Sequence, residues 1–188
     1  MVEALIFLAT GFEEIETITV IDVLRRGGVN VTVTGLSSSV IEGAHGIKIV
    51  PDKNIDTVKI FDFDAVIVPG GNPGYKNLRN DYRVIDMVKE AFDSNKIVAA
   101  ICAAPAVLSD AGILKNKNCT IYPGMEKELE KGEGKPKLDI VVIDGNIITS
   151  RGPATALPFA IKLVELLSGK QMAREVAKKT MANILKWQ

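Results

Sequence analysis

Short, continuously apolar runs recur along the chain: "EALIFLA", "NVTVTGL", "DAVIVPGG", "KIVAAIC", "CTIY", "LDIVVIDG" and "NIITS". They are too short for helices, and several are rich in Val and Ile, which predicts parallel strands covered on both faces. Segments with helical spacing separate them. Residues 13–26 carry Glu13, Glu14 and Glu16 early and Arg25 and Arg26 late, followed by Gly27 and Gly28. That polarity suits a helix dipole and a glycine C-cap. Spacings of three and four put Phe12, Glu16, Val20, Val23 and Leu24 on one stripe of this helix. "DYRVIDMVKEAFDSN" places Val84, Ile85, Val88 and Phe92 on one face. "ATALPFAIKLVELLSG" and "QMAREVAKKTMANILKW" read as closing amphipathic helices, with Pro158 blurring the start of the first. Alternating strand and helix predicts right-handed crossovers and an α/β fold: a doubly wound, mostly parallel sheet with helices on both faces. The "DGN" between "DIVVI" and "IITS" predicts a tight hairpin, hence one antiparallel pair.

Composition narrows the function classes. With 188 residues and no repeat, linker or low-complexity segment, the chain reads as one domain, 1–188. Lys+Arg and Asp+Glu both count 23, so the formal charge is zero, which argues against a nucleic-acid or membrane surface. No apolar stretch reaches the roughly 18 residues of a membrane span, and "MVEALIFLATGFEE" has neither a basic leader nor a small-residue cleavage site. The two cysteines, Cys102 and Cys119, form no CxxC pair and fit a reducing cytoplasm without a zinc site. The single histidine, His45, excludes multi-histidine metal centres.

In open α/β sheets the ligand crevice lies beyond the carboxyl ends of the strands. Four suggestive stretches fall at such ends: "TGFEEIE", "PGGNPG", Cys102 after "KIVAAI", and "SRGPAT". A cysteine where a strand turns into a helix sits among unpaired N–H groups, which would lower its pKa from about 8.5. Pro105 fits the first helical turn. Cys102 therefore reads either as a nucleophile or as a buried structural thiol. Glu16, in an apolar stripe, would have a raised pKa, or would serve with Glu13 and Glu14 as an ordinary first-turn glutamate. "VPGGNPG" could form an oxyanion hole, hold a phosphate or simply turn the chain; its spacing matches neither a P-loop nor GxGxxG. Cys119 reads as core filler and His45 as an exposed turn residue, the one candidate for a Cys-His dyad. Arg151 could bind a substrate carboxylate or pair with a surface acid.

Together these residues resemble the ThiJ/PfpI superfamily, and within it the branch of the parkinsonism-associated deglycase. The resemblance runs from "ALIFLATGFEEIETITVIDVLRRGGVNVTVTGL" through "DAVIVPGGNPGYKNL" and "AAICAAPAVL" to "ITSRGPATALPFAIKLVELLSGK". It implies a flavodoxin-like three-layer sandwich and a homodimer, with Arg25 or Arg26 near a contact made by the first helix. It implies Cys102 as nucleophile in a strained turn, Glu16 as its protonated partner bonded to sulfur, and the backbone N–H groups of Gly71 and Ala103 as an oxyanion site. Tyr122, Arg151 and Gly70 are candidates for substrate binding. Two departures matter. A "THP"-like stretch of that branch reads "IYP" here, so Tyr122 stands in for a histidine as hydrogen-bond donor. Protease-like members carry a histidine directly after the cysteine, where this chain has Ala103, which sets the cysteine peptidase reading aside. The implied activity is a cofactor-free glyoxalase or deglycase acting on small 2-oxoaldehydes or their protein adducts. The alternative is an oxidative-stress sensor that works through oxidation of Cys102.

Overall fold

Strand and helix alternate as expected in the computed structural model, which describes residues 1–37 and 39–185. The strands are β1 (Glu3–Leu8), β2 (Asn30–Gly35), β3 (Ile41–Glu42), β4 (Lys48–Ile49), β5 (Lys53–Asn54), β6 (Ala65–Val68), β7 (Ile97–Ile101), β8 (Asn118–Cys119), β9 (Lys135–Pro136), β10 (Val141–Asp144) and β11 (Ile147–Ser150). The helices are α1 (Glu14–Arg26), α2 (Gly74–Arg79), α3 (Tyr82–Asp93), α4 (Pro105–Asp110), α5 (Glu126–Lys131), α6 (Ala156–Ser168) and α7 (Lys170–Lys179). Seven strands form the central sheet in the order β10-β11-β7-β6-β1-β2-β5. All its pairings are parallel except β10 with β11, the predicted hairpin.

The apolar runs are continuous because each face of the sheet feeds its own core. Leu5, Phe7, Val66, Val68, Val98, Ala100 and Ile147 point to one layer, where Leu78, Val84, Val88 and Leu108 from α2, α3 and α4 cover them. Ala4, Ile6, Leu8, Ile67, Ala99, Ile101 and Ile148 point to the other, under Val20 and Leu24 of α1, Phe159 and Leu163 of α6, and Val176 of α7. This is the flavodoxin-like sandwich, with β1, β6 and β7 buried in the middle.

Some expectations need correction. The stripe of α1 is wider than the spacing of Phe12, Glu16, Val20, Val23 and Leu24 suggests, since Ile21 also enters the second core, while Ile15 and Ile18 are exposed. "CTIY" forms strand only at Asn118–Cys119, in a separate pair with β9. Beyond it the backbone leaves the ladder, because Thr120 donates its N–H to Thr149 Oγ1 and Tyr122 donates to the Cys102 carbonyl. The final helix stops at Lys179, since Met181 takes a left-handed φ of 59°. Its expected last residues, Lys186 and Trp187, lie outside the described residues. Pro158 is tolerated as the third residue of α6, where an N–H would have no intrahelical acceptor. No helix among the described residues is long and apolar enough to cross a membrane.

Phe159 is fully buried where α6 meets α1. Phe159→Ala is expected to cost about 3–5 kcal/mol in urea unfolding, by lost burial plus the cavity left behind.

Candidate active site

At the end of β7 the chain turns abruptly into α4, and Cys102 carries the turn with φ 65°. A left-handed conformation costs a non-glycine residue about 1–3 kcal/mol unless the surroundings enforce it. Here they do. The Cys102 N–H donates to the Ser150 carbonyl at 3.0 Å, and its carbonyl accepts from Tyr122 N–H at 2.8 Å. The strained turn that the resemblance implied is present.

Glu16 comes from the first turn of α1 and is fully buried, with Phe12, Val20 and Leu24 around it on the predicted stripe. Its Oε2 accepts the Gly70 N–H at 2.9 Å. Its Oε1 has no hydrogen-bond partner. The carboxyl nevertheless sits close enough to Cys102 for each group to perturb the other's titration. Glycine is required between them: a Cβ on Gly70 would lie 2.6 Å from both Cys102 Cβ and Glu16 Oε2. Gly71 has φ 98°, and its Cβ would lie 2.3 Å from the Glu13 nitrogen.

The electrostatics differ from the expectation at the thiol. Burial pushes Cys102 up to about 12, and the neighbouring Glu16 carboxylate adds to the rise. The N–H groups of Ala103 and Gly71 point at the sulfur and oppose the shift without cancelling it. A helix-dipole argument overstated the pull toward thiolate, because α4 has only six residues and the sulfur is largely dry. Burial likewise raises Glu16, to about 7. The two titrate as a unit: between about 7 and about 12 the pair holds one proton.

Cys102 opens into a cavity of about 390 Å³ that is also lined by Glu13, Gly71, Ala103, Tyr122 and Met125. Three expectations change here. The Gly70 N–H is committed to Glu16, so it does not face a ligand. Arg151 turns its guanidinium to the Leu138 carbonyl at 2.7 Å and borders a smaller neighbouring cavity of about 220 Å³. Glu14 is more than a first-turn charge: His45 donates its backbone N–H to Oε1 at 2.6 Å, and its Nδ1 lies 2.8 Å from Oε2. Burial opposes ionisation of Glu14, but the His45 contacts prevail and hold it below its usual range; Glu14 and Glu13 raise His45 in turn. His45 is therefore bound to Glu14 and not to Cys102. Among the described residues Glu13, Glu14 and His45 are the one group with metal-donor spacing, all within 4.8 Å. Cys119 is fully buried, as expected.

A second cavity of about 390 Å³ lies at the ends of β1 and β2, beside Ala9, Thr10, Leu36, Asn77 and Asp81. It contains no thiol, and its carboxylate Asp81 is engaged by Arg83 at 2.6 Å. The chemistry therefore belongs to the Cys102 cavity. Sequence reasoning missed Tyr75, Lys76, Met125 and Pro153 in its walls. Tyr75 follows "PGGNPG" directly, which was the available signal.

Burying Glu16 has a pH signature. The folded chain keeps this proton up to about 7, whereas the unfolded chain releases it near 4.5. Stability should therefore fall by about 3 kcal/mol as pH rises through that window. Glu16→Gln removes this dependence, so its stability relative to wild type should rise by that amount between pH 4.5 and 8. Urea unfolding at the two pH values measures it; parallel curves would contradict a raised Glu16 pKa.

A profile of the DJ-1/PfpI family matches residues 2–166. The chain is 42% identical over 176 residues to Protein dj-1beta of Drosophila melanogaster, covering 93% of this chain and 94% of that protein. The crystal structure of Drosophila DJ-1beta matches the fold with a TM-score of 0.90, covering 96% of this chain and 97% of that one. A Caenorhabditis elegans protein named glutathione-independent glyoxalase DJR-1.2 is 40% identical over 166 residues, 88% of each chain. Toxoplasma gondii DJ-1, solved in an oxidized form, matches with a TM-score of 0.90 at 32% identity, covering 96% of this chain and 98% of that one. With the profile spanning most of the sequence and relatives of this identity along nearly its whole length, the chain belongs to the DJ-1/PfpI family.

Proposed function

We propose that the protein is a cofactor-free, cysteine-dependent glyoxalase that converts 2-oxoaldehydes to 2-hydroxy acids, with deglycase activity on the corresponding protein adducts. One observation carries this reading: a fully buried carboxyl beside a cysteine whose sulfur receives two backbone N–H groups. The C. elegans relative bearing a glyoxalase name supports it.

The chemistry balances without a redox partner. With one proton in the pair, held on sulfur, the Glu16 carboxylate takes it as Cys102 sulfur adds to the aldehyde carbon, the C=O electrons move to oxygen, and Glu16 passes the proton on to that oxygen to make a hemithioacetal. The Gly71 and Ala103 N–H groups stabilise the oxyanion as it forms. Glu16, again a carboxylate, takes the hydrogen from the former aldehyde carbon as a proton and returns it at the neighbouring carbon, while the hydroxyl proton of the hemithioacetal passes to the former ketone oxygen. The first carbon is oxidised to a thioester while the second is reduced to an alcohol. Water then cleaves the C–S bond, releasing the hydroxy acid and restoring the thiol. Tyr122 stands at the cavity wall as a hydrogen-bond donor to the substrate.

A second reading, a redox sensor, draws support from the same two N–H groups, which could hold sulfinate oxygens, and from a relative crystallised in oxidized form. Ile15, 56% exposed, and Ile18, 42% exposed, offer the outer face of α1 to a second copy, and a homodimer is proposed on that ground. A free-thiol enzyme suits the reducing cytoplasm.

Purified protein without glutathione should form lactate from methylglyoxal, with a rate that climbs as pH rises through about 7. Cys102→Ser should abolish turnover, and Glu16→Gln should lower kcat by about 10²–10⁴. Turnover that survives Cys102→Ser sinks the mechanism. If mild peroxide instead adds two oxygens at Cys102 in a protein without turnover, the sensor reading replaces it. Light scattering should give twice the 20.3 kDa chain mass; a monomer at micromolar concentration would remove the dimer.

A further inference from the structure

The cavity is too large for a three-carbon aldehyde. Its volume of about 390 Å³ is the space of roughly a dozen waters at about 30 Å³ each, whereas methylglyoxal has only five non-hydrogen atoms. The volume also falls in the range of roughly 300–1,000 Å³ that takes larger organic ligands. The walls say what would fill the surplus. Tyr75 donates its N–H to the Gly71 carbonyl at 2.8 Å, and Tyr122 donates to the Cys102 carbonyl at 2.8 Å. Both tyrosines are thus held through their backbones to residues that surround the reactive sulfur. Met125 is held next to them by its N–H to the Tyr122 carbonyl at 3.0 Å and packs against the core behind. Pro153 completes an apolar wall. Gly152 lies beside the Tyr122 ring, where even a Cβ would make only van der Waals contact at 3.4 Å. The ionisable residues besides Cys102 and the two tyrosines, Glu13 and Lys76, are opposite in sign, so the walls provide no net attraction for a charged arm.

We infer that the cavity selects 2-oxoaldehydes whose ketone carbon bears an apolar arm of aryl size, which lies between Tyr75, Tyr122 and Met125 while the aldehyde meets Cys102. This rests on the glyoxalase reading and names its substrate class. Flat rings gain from stacking on tyrosine, and methionine adapts to their edges. Apolar pockets discriminate by about 10–200-fold for each methylene matched, so a whole ring should be read clearly.

Phenylglyoxal and methylglyoxal are the probes, giving mandelate and lactate. Wild-type kcat/KM should favour phenylglyoxal by about 10-fold or more. Tyr122→Ala and Met125→Ala should each lower that ratio several-fold, whatever they do to absolute rates. Independently of turnover, mandelate should shield Cys102 of the wild-type protein from iodoacetamide at a concentration about 10-fold lower than lactate requires, as read by intact mass. Equal shielding by both acids, or a ratio that neither variant moves, overturns the aryl assignment. If turnover of both aldehydes persists in Cys102→Ser, the glyoxalase reading itself fails. Cys102-dependent turnover without aryl preference sinks only the substrate class.

Discussion

A carboxyl group with no exposure to water, set against a thiol that is itself largely buried, is the constraint on which the rest of the site depends. Two neighbouring anions in a dry environment repel strongly, so the pair retains a proton across the neutral range. In the proposed reaction that retained proton, held on sulfur, passes to the Glu16 carboxylate as sulfur attacks, and the carboxyl then has a proton to give. Desolvation is unfavourable for the fold and useful for the chemistry, a trade common at sites that do acid–base work.

The architecture supplies this environment from three directions. The central strand β7 delivers Cys102 at its carboxyl end, α1 brings Glu16 from the neighbouring β1 crossover, and the loop after β6 inserts Gly70 and Gly71 between them. Side chains at either glycine would collide with the pair or with the turn at Gly11–Glu13. The positive φ of Cys102 is maintained by Ser150 on β11 and by Tyr122 in the loop after β8, so the turn depends on segments far apart in sequence. Parallel packing of β6, β7 and β11 brings these pieces together, because each crossover returns the chain with its carboxyl end on the same side.

Much of this was legible from the residues. Continuous Val and Ile runs identify doubly covered strands, and the spacing of Phe12, Glu16, Val20 and Leu24 already puts a carboxylate on an apolar face. What spacing could not reveal was the partner of each polar group. Gly70 looked like a ligand-facing backbone and proved to be the donor to Glu16; Arg151 looked like an anion site and proved to be tied to Leu138. Both depend on long-range approach, which no local pattern encodes. The thiol's environment was misjudged for a related reason: a strand-to-helix junction suggests a dipole, but burial depends on everything packed above it. Two-residue strands such as β3 and β4 carry no periodicity at all, yet they set the turn that delivers His45 to Glu14.

The proposed reaction asks for opposite conditions within a few ångströms. Its last step needs water at the thioester, while its proton transfers need Glu16 dry enough to keep a raised pKa. The two residues' surroundings separate these demands. Glu16 is sealed by α1 and Gly70 on the inner side of the sulfur, with no exposed surface. On the outer side the cavity is lined by Met125 and by a Tyr122 that is 47% exposed, which leaves water a way to the carbonyl carbon apart from the carboxyl. An apolar arm lying across that wall would keep the outer side dry during the hydrogen shift and admit water as it moves. In the proposed reaction the size of the cavity and the burial of Glu16 would then be two parts of one arrangement, in which the bulk of an aryl aldehyde regulates the solvent that is needed only at the end.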